Sequence, residues 1–317
     1  MRELQIQPFS EEHLVDAAGL LAERHERQLV AEPLLPANVN FRSELRMIRN
    51  ADDASGTIAL RNGEVVGYLL GAPRDEAMWG TNVWVELAGQ AAREPEIVRD
   101  LYAVAAARWL EEGRDRHYVL VPATDDELVD AWFRLSFGAQ HASGIQQTPA
   151  ASNGSRFKVE IREASAEDVD SAIALDKLLP QHQERAPVFA RGPLWTDEEL
   201  SEDFLGDVGD PEVGLFVAEL EGRPVGLLAM VSAEKSSLHS GLARPDCAAL
   251  LAFAATLPEA RGSGAGVTLT NAGLDWARER GYPVVVTDWR ETNLLASRFW
   301  PARGFRRTFR RLYRSIP

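Results

Sequence analysis

The chain has 317 residues, 45% of them hydrophobic, with 34 basic against 48 acidic side chains and a formal net charge of −14. That apolar fraction excludes a disordered chain, no apolar run reaches the roughly 20 residues needed to span a bilayer, and the acidity repels nucleic-acid phosphates. A single core rarely grows much beyond about 250 residues, so two domains are expected. The charged start lacks a secretory signal, and Cys247, the one cysteine, has no intramolecular partner, which suits a reducing cytoplasm. Lys158, Lys177 and Lys235 are the only lysines; we read the arginine bias as genomic base composition.

A strand at Leu4–Gln7 and a helical region open the first half. The run from Leu60 to Leu70 then reads as a hairpin turned at Asn62-Gly63. A strand about Asn82–Ala88, a helix ending in Trp109-Leu-Glu-Glu-Gly113, a strand at His117–Val121 and a short helix with Trp132 follow, and a last strand closes the half. Thr148–Arg156 is small, polar and turn-forming, the expected linker. The order then repeats: a strand at Val159–Ala164, helices, a hairpin at Leu220–Leu228, a strand at Ala248–Leu257, a helix ending near Trp276 and Gly281, a strand at Pro283–Thr287, a helix with Trp300, and a last strand. The hairpin glycines recur about 159 residues apart, and each second tryptophan precedes a phenylalanine by five residues. Four such matches in one order imply a tandem duplication. The expected division is 1–148, a linker at 149–156, and 157–317.

The halves differ at one place. In the second, Ala248–Leu257 runs through Pro258-Glu-Ala into Arg261-Gly262-Ser263-Gly264-Ala265-Gly266 and then an amphipathic helix. Strand, glycine-rich turn and helix form a layout for a phosphate, because glycines let backbone N–H groups converge and the helix N-terminus adds its positive end. The spacing fits neither a Walker loop nor the dinucleotide fingerprint, and a plain tight turn is the alternative. The first half has Ala88-Gly-Gln-Ala-Ala-Arg-Glu-Pro-Glu96 there, with one glycine and two glutamates, so its phosphate site is expected to be lost.

Arg261–Gly266, followed by Asn293-Leu-Leu-Ala296-Ser-Arg-Phe299-Trp300-Pro-Ala-Arg-Gly304-Phe305, resembles the two signatures of the Gcn5-related N-acetyltransferases (GNAT). The resemblance covers 157–317 well and 1–150 as a degenerate copy. It implies an α/β (α+β) fold of tandem duplicated GNAT-like domains, each a mixed twisted sheet flanked by helices. It also implies direct acetyl transfer from acetyl-CoA to the amine of a small molecule. The cofactor's pyrophosphate would meet Arg261, Gly262, Ser263, Gly264, Ala265 and Gly266. Its pantetheine arm would follow the strand ending at Leu257, with Asn293, Ala296 and Phe299 lining it.

Two departures stand out. Trp300 occupies the slot where the family often keeps a tyrosine to protonate the leaving thiolate, and the strand Ala248–Leu257 holds no carboxylate. Asp288, at the expected end of the next strand, is the first candidate for general base and Glu291 the second, with solvated loop carboxylates as the bland alternative. His182 and Glu184, between the two expected helices of the acceptor side, are candidate substrate contacts. The arginines from Arg306 to Arg314 would meet a phosphate or solvate an edge strand. No metal-ligand spacing exists. The expected protein is a cytoplasmic monomer or homodimer without a nucleic-acid or membrane partner. A non-catalytic acyl-CoA binder is the alternative function. Residues 1–153 carry a net −10 and residues 154–317 a net −4, so the acidity belongs mainly to the copy without the phosphate loop.

Overall fold

The computed structural model describes residues 4–151, 157–190, 192 and 195–317. Most of the expected linker, 152–156, lies outside the described residues. The first half contains β1 (Leu4–Pro8), α1 (Leu14–Ala31), α2 (Phe41–Arg49), β2 (Ser55–Arg61), β3 (Glu64–Gly71), β4 (Asn82–Val85), β5 (Gln90–Ala92), α3 (Pro95–Glu111), β6 (Arg116–Pro122), α4 (Asp126–Phe133) and β7 (Gly138–Gln147). The second contains β8 (Glu160–Glu163), α5 (Val169–Gln183), α6 (Asp197–Asp207), β9 (Gly214–Leu220), β10 (Arg223–Ser232), β11 (Ala248–Thr256), α7 (Ala265–Glu279), β12 (Val284–Arg290), α8 (Leu294–Ala302) and β13 (Arg306–Ser315).

The duplication is written into the backbone. Both hairpins turn on two residues with positive φ, Asn62-Gly63 at 57° and 82° and Glu221-Gly222 at 52° and 73°. That is the type I′ geometry whose twist matches the strands it joins. Val66 on β3 and Val225 on β10, each three residues after its turn glycine, are both the extra residue of a β-bulge. α1 and α5 are each preceded by a capping box, Ser10 with His13 and Ser165 with Asp168.

Two compact units result. The first comprises Met1–Ala142, Gly241–Ala243 and Arg307–Pro317; the second comprises Ser143–Ser240 and Arg244–Arg306. The expected division follows the repeat along the chain, whereas compactness divides the chain differently at its last strand. β13 pairs antiparallel with β6, from Phe309 opposite Pro122 to Ser315 opposite Arg116. Its Leu312 is fully buried in the first unit's core, among Val83, Val119, Leu101 and Trp132. The β13 arginines are therefore not a solvated edge: Arg311 is buried, with its guanidinium over the rings of Trp79 and Trp84. The first unit also carries the antiparallel sheet β1-β2-β3-β5.

In the second unit β12, β11, β10, β9 and β8 lie side by side. α5 and α6 cover one face through Ala172, Leu175 and Phe204, packed on Leu215, Val217 and Leu227. α7 covers the other face so closely that a Cβ on Gly273 would stand 2.9 Å from the Met230 sulfur. No helix among the described residues is long and apolar enough to cross a membrane, and none of their His, Cys, Asp and Glu groups is placed to hold a metal.

Candidate functional site

β11 and β12 run parallel and paired for only three residues, ending at Leu250 opposite Val286. Just past that point β11 bulges. Ala229 of β10 faces Phe253 and Met230 faces Leu251, so Ala252 is left over. From Phe253 onward β11 keeps its register with β10 to Thr256 but has none with β12 among the described residues. Ala252 is exposed and Phe253–Leu257 are half-exposed, although the strand lies inside its sheet. The gap between β11 and β12 is thus an open cleft with one free strand edge. The Thr287 hydroxyl donates to the Leu251 carbonyl at 3.1 Å, at the cleft's closed end.

The glycine loop sits at the open end. Gly262 and Gly264 have φ of +86° and +95°, and Gly264 caps α7. Within the loop, Ser263 N–H donates to the Ala260 carbonyl and Ala265 N–H to the Ser263 hydroxyl. The N–H groups of Gly262, Gly264, Gly266 and Val267 have no hydrogen-bond partner among the described residues. Four backbone donors beside a helix N-terminus make a nest for an anion. The Phe157 ring lies where a Cβ on Gly264 would be, and the Phe299 ring lies 3.4 Å from where one on Gly266 would be. Arg261 is exposed.

α8 brings the second motif alongside. The Asn293 carboxamide oxygen caps the helix, accepting from the N–H groups of Leu295 at 3.1 Å and Ala296 at 3.2 Å. It also lies 3.2 Å from His182 Nε2. Arg290 Nε donates to the Gln183 carboxamide oxygen at 2.9 Å, so the end of α5 is tied to β12 and to the start of α8. His182 is therefore not in a loop between helices: α5 continues through Pro180 to Gln183. Glu184 is exposed just beyond that end. β12 likewise continues to Arg290, which places Asp288 inside the strand and not at its end, half-buried, with Glu291 half-buried after it. Asp176, earlier on α5, is raised above the usual carboxylate range by burial and by Asp203. Trp300 is buried edge-on against Phe299 and Phe305, at 4.9 and 5.5 Å between ring centres.

The structure therefore gathers Gly266 with Phe299, and Asn293 with His182, around one cleft. The bulge at Ala252 and the Thr287 hydroxyl escaped the sequence reading. An alanine-rich strand carries no mark of which residue will bulge, and Thr287 looks like any β-branched strand residue.

In the first unit the corresponding stretch is closed. β4 pairs parallel with β6 over four residues, whereas β5 turns away to pair with β3. The buried Arg24 guanidinium of α1 donates to the carbonyls of Leu87 at 2.7 Å and Gln90 at 2.5 Å. The Tyr68 hydroxyl donates to the Ala88 carbonyl. The Gln90 carboxamide donates to the Leu120 carbonyl of β6 at 2.8 Å and accepts from Trp132 Nε1 at 2.9 Å. Side chains of the unit itself thus engage backbone carbonyls along this stretch, whereas the second unit leaves a strand edge open. α3 starts at Pro95, which has no N–H to offer. Glu94 is paired with Arg61, and hydrogen bonding to that guanidinium lowers its pKa. Carboxylates stand where an anion would dock.

Comparison with known proteins agrees with this geometry. Residues 178–305 match the acetyltransferase (GNAT) family. The mycothiol acetyltransferase of Thermomonospora curvata is 34% identical over 113 residues, 36% of this chain and 34% of that protein, so the similarity spans about a third of the relative's length. A GCN5-related N-acetyltransferase from Sphaerobacter thermophilus shares the fold, with a TM-score of 0.59 and 13% identity over 99% of this chain and 96% of that one. A GCN5-related glucosamine N-acetyltransferase region of a fungal multi-domain β-N-acetylglucosaminidase does so with a TM-score of 0.53 and 15% identity over 99% of this chain and 38% of that one. Residues 178–305 thus match the acetyltransferase (GNAT) family, and over nearly its whole length the chain shares the fold of a GCN5-related N-acetyltransferase.

Proposed function

We propose that the chain is an acetyl-CoA-dependent N-acetyltransferase acting on the amine of a small molecule, with the cofactor held by its second half. The observation that carries this reading is the conjunction of two features: four unengaged N–H groups at Gly262, Gly264, Gly266 and Val267, and a free β11 edge leading away from them. An elongated ligand with an anion at one end and amide groups along its length fits that pair, the amides adding to β11 as a further strand would.

Acetyl-CoA supplies an activated acyl group as a thioester. In this chain, the nest would hold the pyrophosphate and Phe299 would pack beside it. The bulge at Ala252 turns the β11 backbone out of its ladder, which supports a backbone N–H there as the donor that polarises a carbonyl. Positioning an amine against that carbonyl supplies much of the rate, because it removes the entropy of bringing two reactants together. The net charge of −14 favours a cationic amine. Asp288, half-buried inside β12, and Glu291, half-buried just after it, remain candidates to take up its proton.

The buried Trp300 specifically favours a second reading, a non-catalytic acyl-CoA binder, since an indole N–H is far too weak an acid to protonate a thiolate. Titration with acetyl-CoA by calorimetry, followed by release of free CoA thiol in the presence of aminosugars, polyamines and α-amino acids, separates the two. Thiol release supports the enzyme; binding without release across the panel supports the binder; absence of binding overturns both.

A further inference from the structure

The second unit holds one imidazole whose protonation is settled by its neighbours. The Asn293 atom facing His182 accepts from two backbone N–H groups, so it is the carboxamide oxygen and can only accept. His182 Nε2 must therefore carry the proton and donate, at 3.2 Å. The lone pair is then on Nδ1, which has no partner among the described residues. The ring is half-buried, and the tie between Gln183 and Arg290 fixes the end of its helix. It meets the cap of α8, and its helix end is tied to β12, one of the two strands that bound the cleft.

We propose that Nδ1 of His182 is the proton acceptor for the attacking amine and then the proton donor to the leaving thiolate; this rests on the N-acetyltransferase reading above. The amine nitrogen attacks the thioester carbonyl carbon, the C–N bond forms, and the C–S bond breaks with its electron pair on sulfur. The proton lost from nitrogen goes to Nδ1, and the resulting imidazolium returns it to the CoA thiolate. No net proton is taken up or released from the neutral amine. The shuttle supplies the acid that Trp300 is not, and the base that β11 does not contain. Imidazole suits both roles because the same ring nitrogen can accept a proton and give it back. The charged groups on the segments tied to it are Glu184 and Arg185 on its own side, Asp288 and Arg290 on β12, and Glu291 and Arg298 on either side of Asn293 in the chain. Asp288, Arg290 and Glu291 are already engaged in interactions of their own.

The test compares the wild type with His182→Gln, whose carboxamide can still donate to Asn293, and His182→Ala. Thermal unfolding checks that both are folded, and calorimetry with acetyl-CoA checks the cofactor site. The expected result is a fall in kcat/KM of about 10² to 10⁴-fold in both variants at unchanged acetyl-CoA affinity. The acidic limb of the pH–rate profile disappears, and added imidazole restores part of the activity of His182→Ala. Variants within about threefold of the wild type, or an acidic limb that persists in His182→Gln, overturn the assignment of His182 while leaving the transferase reading intact. Binding without turnover in the wild type overturns both.

Discussion

Three glycine-to-alanine substitutions in the loop should separate according to backbone and space. At Gly266 the backbone is helical and a Cβ would lie 3.4 Å from the Phe299 ring, ordinary contact, so Gly266→Ala should gain about 0.5–1 kcal/mol from helix propensity. At Gly262 φ is +86° and nothing lies within 4 Å of the added carbon. Gly262→Ala therefore bears only the left-handed cost of about 1–2 kcal/mol. At Gly264 the same backbone cost applies, but the added carbon would stand 2.1 Å from Phe157 Cγ, over an ångström inside contact distance. Cγ is the root of the ring, so the side chain cannot swing its tip aside. Overpacking of this kind adds about 1–3 kcal/mol, for a total near 3 kcal/mol. Chemical unfolding should rank the variants Gly266→Ala, wild type, Gly262→Ala, Gly264→Ala in falling stability. Shifting the cap also misaims the donors of the nest. At about 1.5–3 kcal/mol for a hydrogen bond to a charged group, Gly264→Ala should bind acetyl-CoA about 10- to 100-fold more weakly, read by calorimetry on folded protein. Gly264→Ala that is folded and binds as the wild type refutes the phosphate nest. Equal destabilisation of Gly262→Ala and Gly264→Ala refutes the role given to Phe157.

Three further outcomes test the physics of the two units. His117 is buried, donates from Nε2 to the Arg114 carbonyl and accepts at Nδ1 from the Tyr102 hydroxyl, and desolvation pushes it down to about 4. The unfolded chain therefore binds more protons between pH 6.5 and 4, so stability is lost as pH falls through that window, by about 3 kcal/mol at full extent; urea unfolding at pH 7 and 4.5 should show the slope in the wild type and a flatter one in His117→Gln. Arg162, bonded to both oxygens of the buried Asp168, holds that carboxyl at about 2. Its stabilisation is present above pH 4 and lost as pH falls towards 2, and Asp168→Asn should cost about 2 kcal/mol at pH 7 while costing little at pH 2. Arg24→Met leaves the carbonyls of Leu87 and Gln90 buried without donors and should destabilise the first unit by about 2–4 kcal/mol; a change below about 0.5 kcal/mol in urea unfolding would mean that water replaces the guanidinium.

The repeat was legible because its marks are local. A two-residue turn with both φ positive and a glycine closing a helix are each set by a few neighbouring atoms, and they recur in order. The glycine loop was legible for the same reason: a backbone held at φ near +90° selects its residue. What escaped was non-local. The alternation along β13 fits any sheet edge, and only Leu312 in the first unit's core decides which one. Pro180 suggests a helix stop, yet losing one N–H bond does not outweigh the packing of the helix that carries it. The contacts of Arg24 span 63 and 66 residues and that of His182 spans 111, separations at which residue pattern carries no signal.

Those distant contacts also distinguish the two halves of the repeat. Counted from the capping serines, Arg24 lies fourteen residues after Ser10, and Leu179 lies fourteen after Ser165. One helix therefore sends a guanidinium to carbonyls that follow its short central strand, where it replaces the donors a strand-like ligand would bring. The other has an aliphatic chain at that position, with nothing to donate, and the edge of β11 stays free. By the same count Arg27 stands where the second copy has His182. An arginine remains charged at any working pH, whereas an imidazole can accept and return a proton. On the acetyl-CoA reading, the carboxylates at Glu94 and Glu96, the guanidinium of Arg24 and the side chain of Arg27 each withhold from the first half a different contact that an elongated ligand would need.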